Sequence, residues 1–365
     1  FPLPRFTDTY ISHLTTNYNH QGDVTMSLKG MLTSLFLKVT IIVITIPVSL
    51  GMLFKRIKHG SDYFKIRPRT NPPAILSDTR FGSHHYVHLA KQSIRLHYVE
   101  KGDKNNPLLL CLHGFPDCWY SWRTVLEKFS DKYWVVAVDM RGYGGSDKPE
   151  GINSYSIEHL VEDIRELIKV LGKEKCTLVA HDWGGAIGWF ITCKYPELFH
   201  KHISLNGPHF KAMMEHRYSS WSQFKKSWYI LFFQCWYLPE LMMCANNFQI
   251  LDVLFRKPVN PSNSSYTKDE VELYKYYFSQ KYALTAPINY YRHAMKGKKE
   301  DVPICKVDSL IIWGAEDTAL DKEIAEKTYK YCEKLQVDYI ENCGHFVLQE
   351  CPEAVHKAMW QFLDH

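Results

Sequence analysis

The sequence predicts an α/β fold: a mostly parallel central sheet with helices on both faces and one helical insertion. Three observations carry this. Short, predominantly apolar runs recur at 108–112, 134–138, 177–180, 203–205 and 310–313, as expected of strands covered on both faces. Helical patterns at 121–129, 156–171 and 186–195 lie between them, and strands alternating with helices imply a parallel sheet. The third is the stretch Leu178-Val179-Ala180-His181-Asp182-Trp183-Gly184-Gly185. It reads as a strand, a tight turn and a helix, the layout of a nucleophile elbow. Small residues are needed there because the turn is strained and passes close to its neighbours. The usual tip of such a turn is Ser; here it is Asp182.

In order, the chain starts with Phe1 rather than Met, so its start reads as incomplete or processed, with Met26 as a further candidate start. Residues 1–30 are polar at first and unpatterned. Residues 31–54 are apolar apart from Lys38 and a few hydroxyl residues, long enough for a helix to span a bilayer. A cleaved signal peptide and a buried core helix are the competing readings of that run. Lys55, Arg56, Lys58, Lys65, Arg67 and Arg69 follow it, whereas Lys29 stands nearly alone before it. The positive-inside rule then places the catalytic part on the cytosolic side. The sequon Asn263-Ser264-Ser265 argues the other way. Residues 55–85 are a basic, Pro-containing linker.

The globular part starts near Tyr86, with strands expected at 86–89 and 94–99. In the helix 156–171, Leu160, Ile164, Ile168 and Leu171 keep the helical period while charges face outward. The alternation stops after Leu205. Residues 207–302 are rich in Trp, Tyr, Phe and Met and carry helical stretches at 221–236 and 268–278. They read as a helical lid over the carboxyl ends of the strands. The core, 86–206, resumes at 303–365 with helix 324–331, strand 337–340 and helix 353–362.

Composition narrows the function class. A length of 365 residues suits one large domain. The formal net charge of +5 is small, and much of the excess lies between Lys55 and Arg69, so no nucleic-acid groove is expected. Ten cysteines include no C-x-x-C pair. Cys111, Cys176 and Cys193 lie in apolar runs and read as buried thiols, which fits a reducing compartment.

Further motifs join the elbow. The segment from His113-Gly114-Phe115-Pro116 to Arg123 resembles the HGFP segment of α/β-hydrolase-fold epoxide hydrolases. Asp139-Met140-Arg141-Gly142-Tyr143-Gly144-Gly145-Ser146-Asp147 resembles their D-x-R-G-Y-G-x-S-D segment. With His181-Asp182-Trp183-Gly184-Gly185, Asp317 and Cys343-Gly344-His345, the match runs from about Tyr86 to His365. The membrane-anchored branch is closest overall. The departure is Ala180, where the family often has Gly.

The resemblance implies an α/β-hydrolase fold and a set of roles. Asp182 is the nucleophile that forms an alkyl-enzyme ester. His345 is the general base for the water that cleaves it. Asp317 orients the imidazole, with Glu316 as local competitor. Backbone N–H groups of Phe115 and Trp183 form the oxyanion hole; Pro116 has no N–H to give. Tyr229 and Tyr291 are the proton donors to the opening epoxide, with Tyr290 as competitor. Trp119 and Trp183 are the expected substrate-binding side chains. No metal or cofactor is expected. The implied activity is epoxide hydrolysis at a membrane, the endoplasmic reticulum by resemblance, on lipophilic epoxides such as those of fatty acids. A haloalkane dehalogenase shares the Asp, the His and the Trp after the nucleophile but needs halide-binding donors and no lid tyrosine acids. A silent membrane protein that only binds should carry a broken triad, and this sequence carries none.

Overall fold

The structure, a computed structural model, describes residues 28–296 and 301–364. Eight strands form one sheet: β1 (Ser83–Leu89), β2 (Ile94–Lys101), β3 (Leu108–Leu112), β4 (Trp134–Asp139), β5 (Cys176–His181), β6 (Phe199–Leu205), β7 (Asp308–Gly314) and β8 (Leu335–Ile340). Their order is β1-β2-β4-β3-β5-β6-β7-β8. The β1–β2 and β2–β4 pairs are antiparallel, and every other pair is parallel. The expected strands are all present, with ends moved by a few residues.

The apolar runs are wholly buried because they feed two cores. On β3, Leu108, Leu110 and Leu112 pack with Ile164 and Leu167 on one face. Leu109 and Cys111 pack with Trp122 and Phe129 on the other, as the alternation of a strand requires. Helix Ile157–Val170 starts at Ser156, whose hydroxyl accepts the His159 N–H, and it buries Leu160, Ile164 and Ile168. Cys111, Cys176 and Cys193 are buried free thiols.

Three expectations need correction. Residues 1–27 lie outside the described residues, but the apolar helix begins at Leu28, inside the segment expected to be unstructured, and runs to His59. Within it Leu37–His59 has a mean hydropathy of 2.1 and is long and apolar enough to cross a membrane. Ile44 and Val48 pack against the core and lid, and Thr45 Oγ1 lies 3.0 Å from Cys235 Sγ in the lid. Second, the linker is docked rather than free. The Arg69 N–H donates to Ser279 Oγ, its guanidinium donates to Glu272 and Asn247, and Gln280 donates to the Arg69 carbonyl. Third, the helix expected at 221–236 breaks at Ser227 into Trp221–Lys226 and Trp228–Phe232. The Ser227 backbone stands at φ −83°, ψ 7° between the two pieces, and the Gln223 amide donates to its hydroxyl. The lid continues through Leu238–Arg256, Lys268–Phe278 and Thr285–Ala294.

Candidate active site

Four loops at the carboxyl ends of β3, β5, β7 and β8 meet at one point, where a parallel sheet places its ligands. Asp182 follows β5 at φ 50°, ψ −115°, a conformation that costs a non-glycine residue energy. Its neighbours hold it there. A Cβ on Gly184 would run into the carbonyl oxygens of Leu112 and His113, and one on Gly114 would overlap the Asp182 carboxylate. Ala180 is accommodated because it faces Gly188.

The Phe115 N–H donates to Asp182 Oδ1 at 2.7 Å. Trp183 opens the following helix, so its N–H has no acceptor within that helix. His345 Nε2 faces Asp182 Oδ2 at 3.6 Å, an ion-pair contact longer than a hydrogen bond. On its other side His345 Nδ1 lies 2.7 Å from Asp317 Oδ2. Asp317 Oδ1 accepts the N–H groups of Ala319 and Leu320. His181 Nε2 lies 2.9 Å from the His345 carbonyl, and burial pulls the His181 imidazole down to about 4, so it is a neutral donor that braces the loop.

Burial alone would raise the carboxyl pKa of Asp182, but the His345 imidazolium beside it holds it below the usual range. Asp317 is lowered against the same penalty by the His345 charge. Burial disfavours a charged His345, yet Asp317 and Asp182 together push it up to about 10. The resting site therefore contains two carboxylates and one imidazolium.

Tyr291, on helix Thr285–Ala294, is buried with its ring 5.0 Å from Trp183, 5.4 Å from Phe115 and 5.0 Å from Phe233. Tyr229, on the short helix Trp228–Phe232, lies 5.8 Å from Tyr291 and 5.7 Å from Phe233. Burial first and the Asp182 charge after it raise the phenol pKa of Tyr229; burial, Tyr229 and Asp182 do the same for Tyr291. Both stay protonated. The competitor Tyr290 is committed elsewhere, its hydroxyl donating to the Arg141 carbonyl at 2.7 Å.

Trp119 stands apart from this group. It is fully buried against Phe81, His84 and Tyr120, its indole donates to the Tyr277 hydroxyl, and its backbone N–H donates to Asp139. The Asp139 segment is a brace. Burial would raise the Asp139 carboxyl, but His97 at 2.7 Å brings it down to about 2, and Asp139 also accepts from Gly145. Arg141 pairs with Asp163 in a buried ion pair. The Met140 N–H donates to His113 Nε2 and so fixes the loop that carries Phe115.

Two residues of the site escaped the sequence reading. Asn206 follows β6 directly; its side-chain Nδ2 donates to Asp317 Oδ2 at 2.7 Å and its Oδ1 accepts from the Gly314 N–H. The available signal was an Asn-Gly-Pro turn at a strand end. Phe233 completes the aromatic wall, but one Phe among the 19 in the chain carried no mark.

Residues 107–351 match the α/β hydrolase fold family. The chain is 40% identical to epoxide hydrolase 1 of Caenorhabditis elegans, over 84% of this chain and 75% of that protein. It is 37% identical to human epoxide hydrolase 4, over 86% of this chain and 88% of that one. Among solved structures, a Bacillus megaterium epoxide hydrolase in complex with an inhibitor superposes with a TM-score of 0.70 at 33% identity, covering 77% of this chain and all of that one. The chain belongs to the α/β-hydrolase-fold family, in its epoxide hydrolase branch.

Proposed function

We propose that the protein adds water to lipophilic epoxides, giving vicinal diols through an ester on Asp182. The observation that carries this is the division of labour around one carboxylate. Oδ1 is tied to the Phe115 N–H, Oδ2 faces His345, and two protonated phenols share the adjoining aromatic wall. Oδ2 attacks an epoxide carbon and the carbon–oxygen bond breaks. The alkoxide takes a proton from Tyr229 or Tyr291, and the resulting tyrosinate is reprotonated by the proton that His345 releases, leaving a neutral imidazole. Water then attacks Cγ of the ester and gives one proton to His345 Nε2; on collapse its second proton passes to the leaving diol oxygen. Charge develops on Oδ1, where the Phe115 and Trp183 N–H groups stabilise it. Collapse releases the diol and regenerates the carboxylate. A haloalkane dehalogenase would need halide donors where this site presents phenol acids.

Trp183 and the aromatic wall suit an apolar substrate, including fatty-acid epoxides. The apolar helix serves as a membrane anchor, with the basic segment after it and the catalytic part on the cytosolic side, at the endoplasmic reticulum. Heavy-oxygen water tests the chemistry. With enzyme in excess, first-turnover diol should carry no label and Asp182 should. In His345→Gln the ester should accumulate as added mass on the elbow peptide. Labelled first-turnover diol with no adduct would eliminate Asp182 as nucleophile.

A further inference from the structure

Four residues beyond Asp317, on the same loop, stands a second buried aspartate, Asp321. It takes no part in the chemistry above. Its carboxylate gathers two consecutive lid helices, Phe210–Ser219 and Trp221–Lys226. Oδ2 contacts His216 Nε2 at 3.0 Å and accepts from the Ser220 hydroxyl at 2.8 Å. Oδ1 accepts from the Ser222 hydroxyl at 2.9 Å and pairs with Lys226 Nζ at 3.0 Å. The Asp321 N–H donates to Gln223 Oε1. With Glu323, the pair His216 and Asp321 has the spacing of a cation site. However, the Lys226 ammonium already supplies the positive charge, and both Asp321 oxygens are taken.

The same lid residues reach Asp317 and Tyr229. Lys226 Nζ also donates to the Asp317 carbonyl at 2.7 Å. The Gln223 amide donates to the Ala319 carbonyl and to the Ser227 hydroxyl, both at 3.0 Å. Ser227 immediately precedes the short helix that carries Tyr229. The far end of that helix is tied to the Tyr291 helix instead: Arg292 donates to the Phe233 and Cys235 carbonyls, and Gln234 donates to the Tyr291 carbonyl. Tyr291 has its own mount on the core, through Tyr290 and Arg141. Tyr229 is therefore held at both ends, one shared with the Tyr291 helix and one running to the acid loop; among the described residues, the bond from Tyr290 to Arg141 holds the Tyr291 helix without passing through that loop.

We propose that Asp321 is a positioning residue for epoxide opening: its clasp on His216, Ser220, Ser222 and Lys226 sets Tyr229 over Asp182. This rests on the reading of Tyr229 as a proton donor. A five-residue helix has too few internal hydrogen bonds to hold a side chain to catalytic tolerance, and small misplacements of a reacting group cost large factors in rate. Without the clasp Tyr229 drifts while Tyr291 stays.

The test is a pair of double-mutant cycles on the full-length protein, with the alkylation and ester-hydrolysis rates measured separately in single turnovers. Asp321→Ala should slow alkylation about as much as Tyr229→Phe, on the order of 10²-fold, with a smaller effect on hydrolysis. Combined with Tyr229→Phe it should add little; combined with Tyr291→Phe its factor should multiply. A general loss of folding would not distinguish the two tyrosines. Should Asp321→Ala fail to fold, Ser220→Ala with Ser222→Ala removes two of the four partners and should follow the same pattern to a smaller extent. Alkylation at the wild-type rate in the clasp variants, or a factor that multiplies fully with Tyr229→Phe, overturns the clasp alone. If Tyr229→Phe itself leaves alkylation unchanged, the donor role falls and the proposal with it.

Discussion

Ester formation on Asp182 should loosen the hold of His345 on its proton. The resting imidazolium titrates at about 10, against 6.5 for an ordinary histidine; burial opposes the charge, and Asp317 and Asp182 outweigh it. At about 1.36 kcal/mol per pKa unit, that difference is worth roughly 5 kcal/mol. The two carboxylates lie 2.7 Å and 3.6 Å from the ring nitrogens. Alkylation neutralises the Asp182 carboxylate and leaves the burial penalty whole. The imidazole of the ester intermediate should therefore titrate at a lower pH than the resting one. Below that pH it stays protonated and cannot accept the proton of the attacking water; above it the base is ready. Rapid-quench single turnovers across a pH series, read by the mass of the elbow peptide, separate the steps. Ester formation should be flat from about pH 6 to about pH 9, because Asp182 is ionised and the phenols are protonated throughout. Ester decay should rise with pH and level off below the resting value of about 10. A decay rate independent of pH, or a midpoint still at about 10, would refute this account of how His345 becomes a base.

Two further outcomes are expected. Tyr291→Phe should slow epoxide opening by about 10²–10⁴-fold, since Tyr229 alone must then protonate the alkoxide; alkylation rates untouched by Phe at both positions would remove the tyrosines from the mechanism. In sealed microsomes the C-terminal part should be open to protease and Asn263 should carry no glycan, as the basic excess after the apolar helix requires; protection of that part would reverse the orientation.

The sheet was legible because parallel strands buried on both faces leave unbroken apolar runs, as at 108–112 and 134–138. The candidate reacting groups were legible because they sit in short motifs at strand ends that resemble those of the family, in the same order along the chain. Asn206 was not: it acts on Asp317 from another strand end, and that adjacency exists only once β6 and β7 pair. The lid was the least readable part. Its aromatic residues pack against each other, the core and the site alike, so periodicity does not tell a wall residue such as Phe233 from packing. Trp119 shows the converse, a residue in a recognisable motif whose ring contacts are Phe81, His84, Tyr120 and the lid residue Tyr277. The docking of the linker was invisible for the same reason as Asn206, since the partners of Arg69 lie in the lid.

That docking changes what the segment after the apolar helix can do. A free chain of about twenty residues would let an enzyme wander several nanometres from its anchor. Here Arg69 is fastened to Ser279, Glu272 and Asn247. Only about ten residues then separate the end of the apolar helix from a fixed point on the lid, so whatever holds the helix also holds the lid close to it.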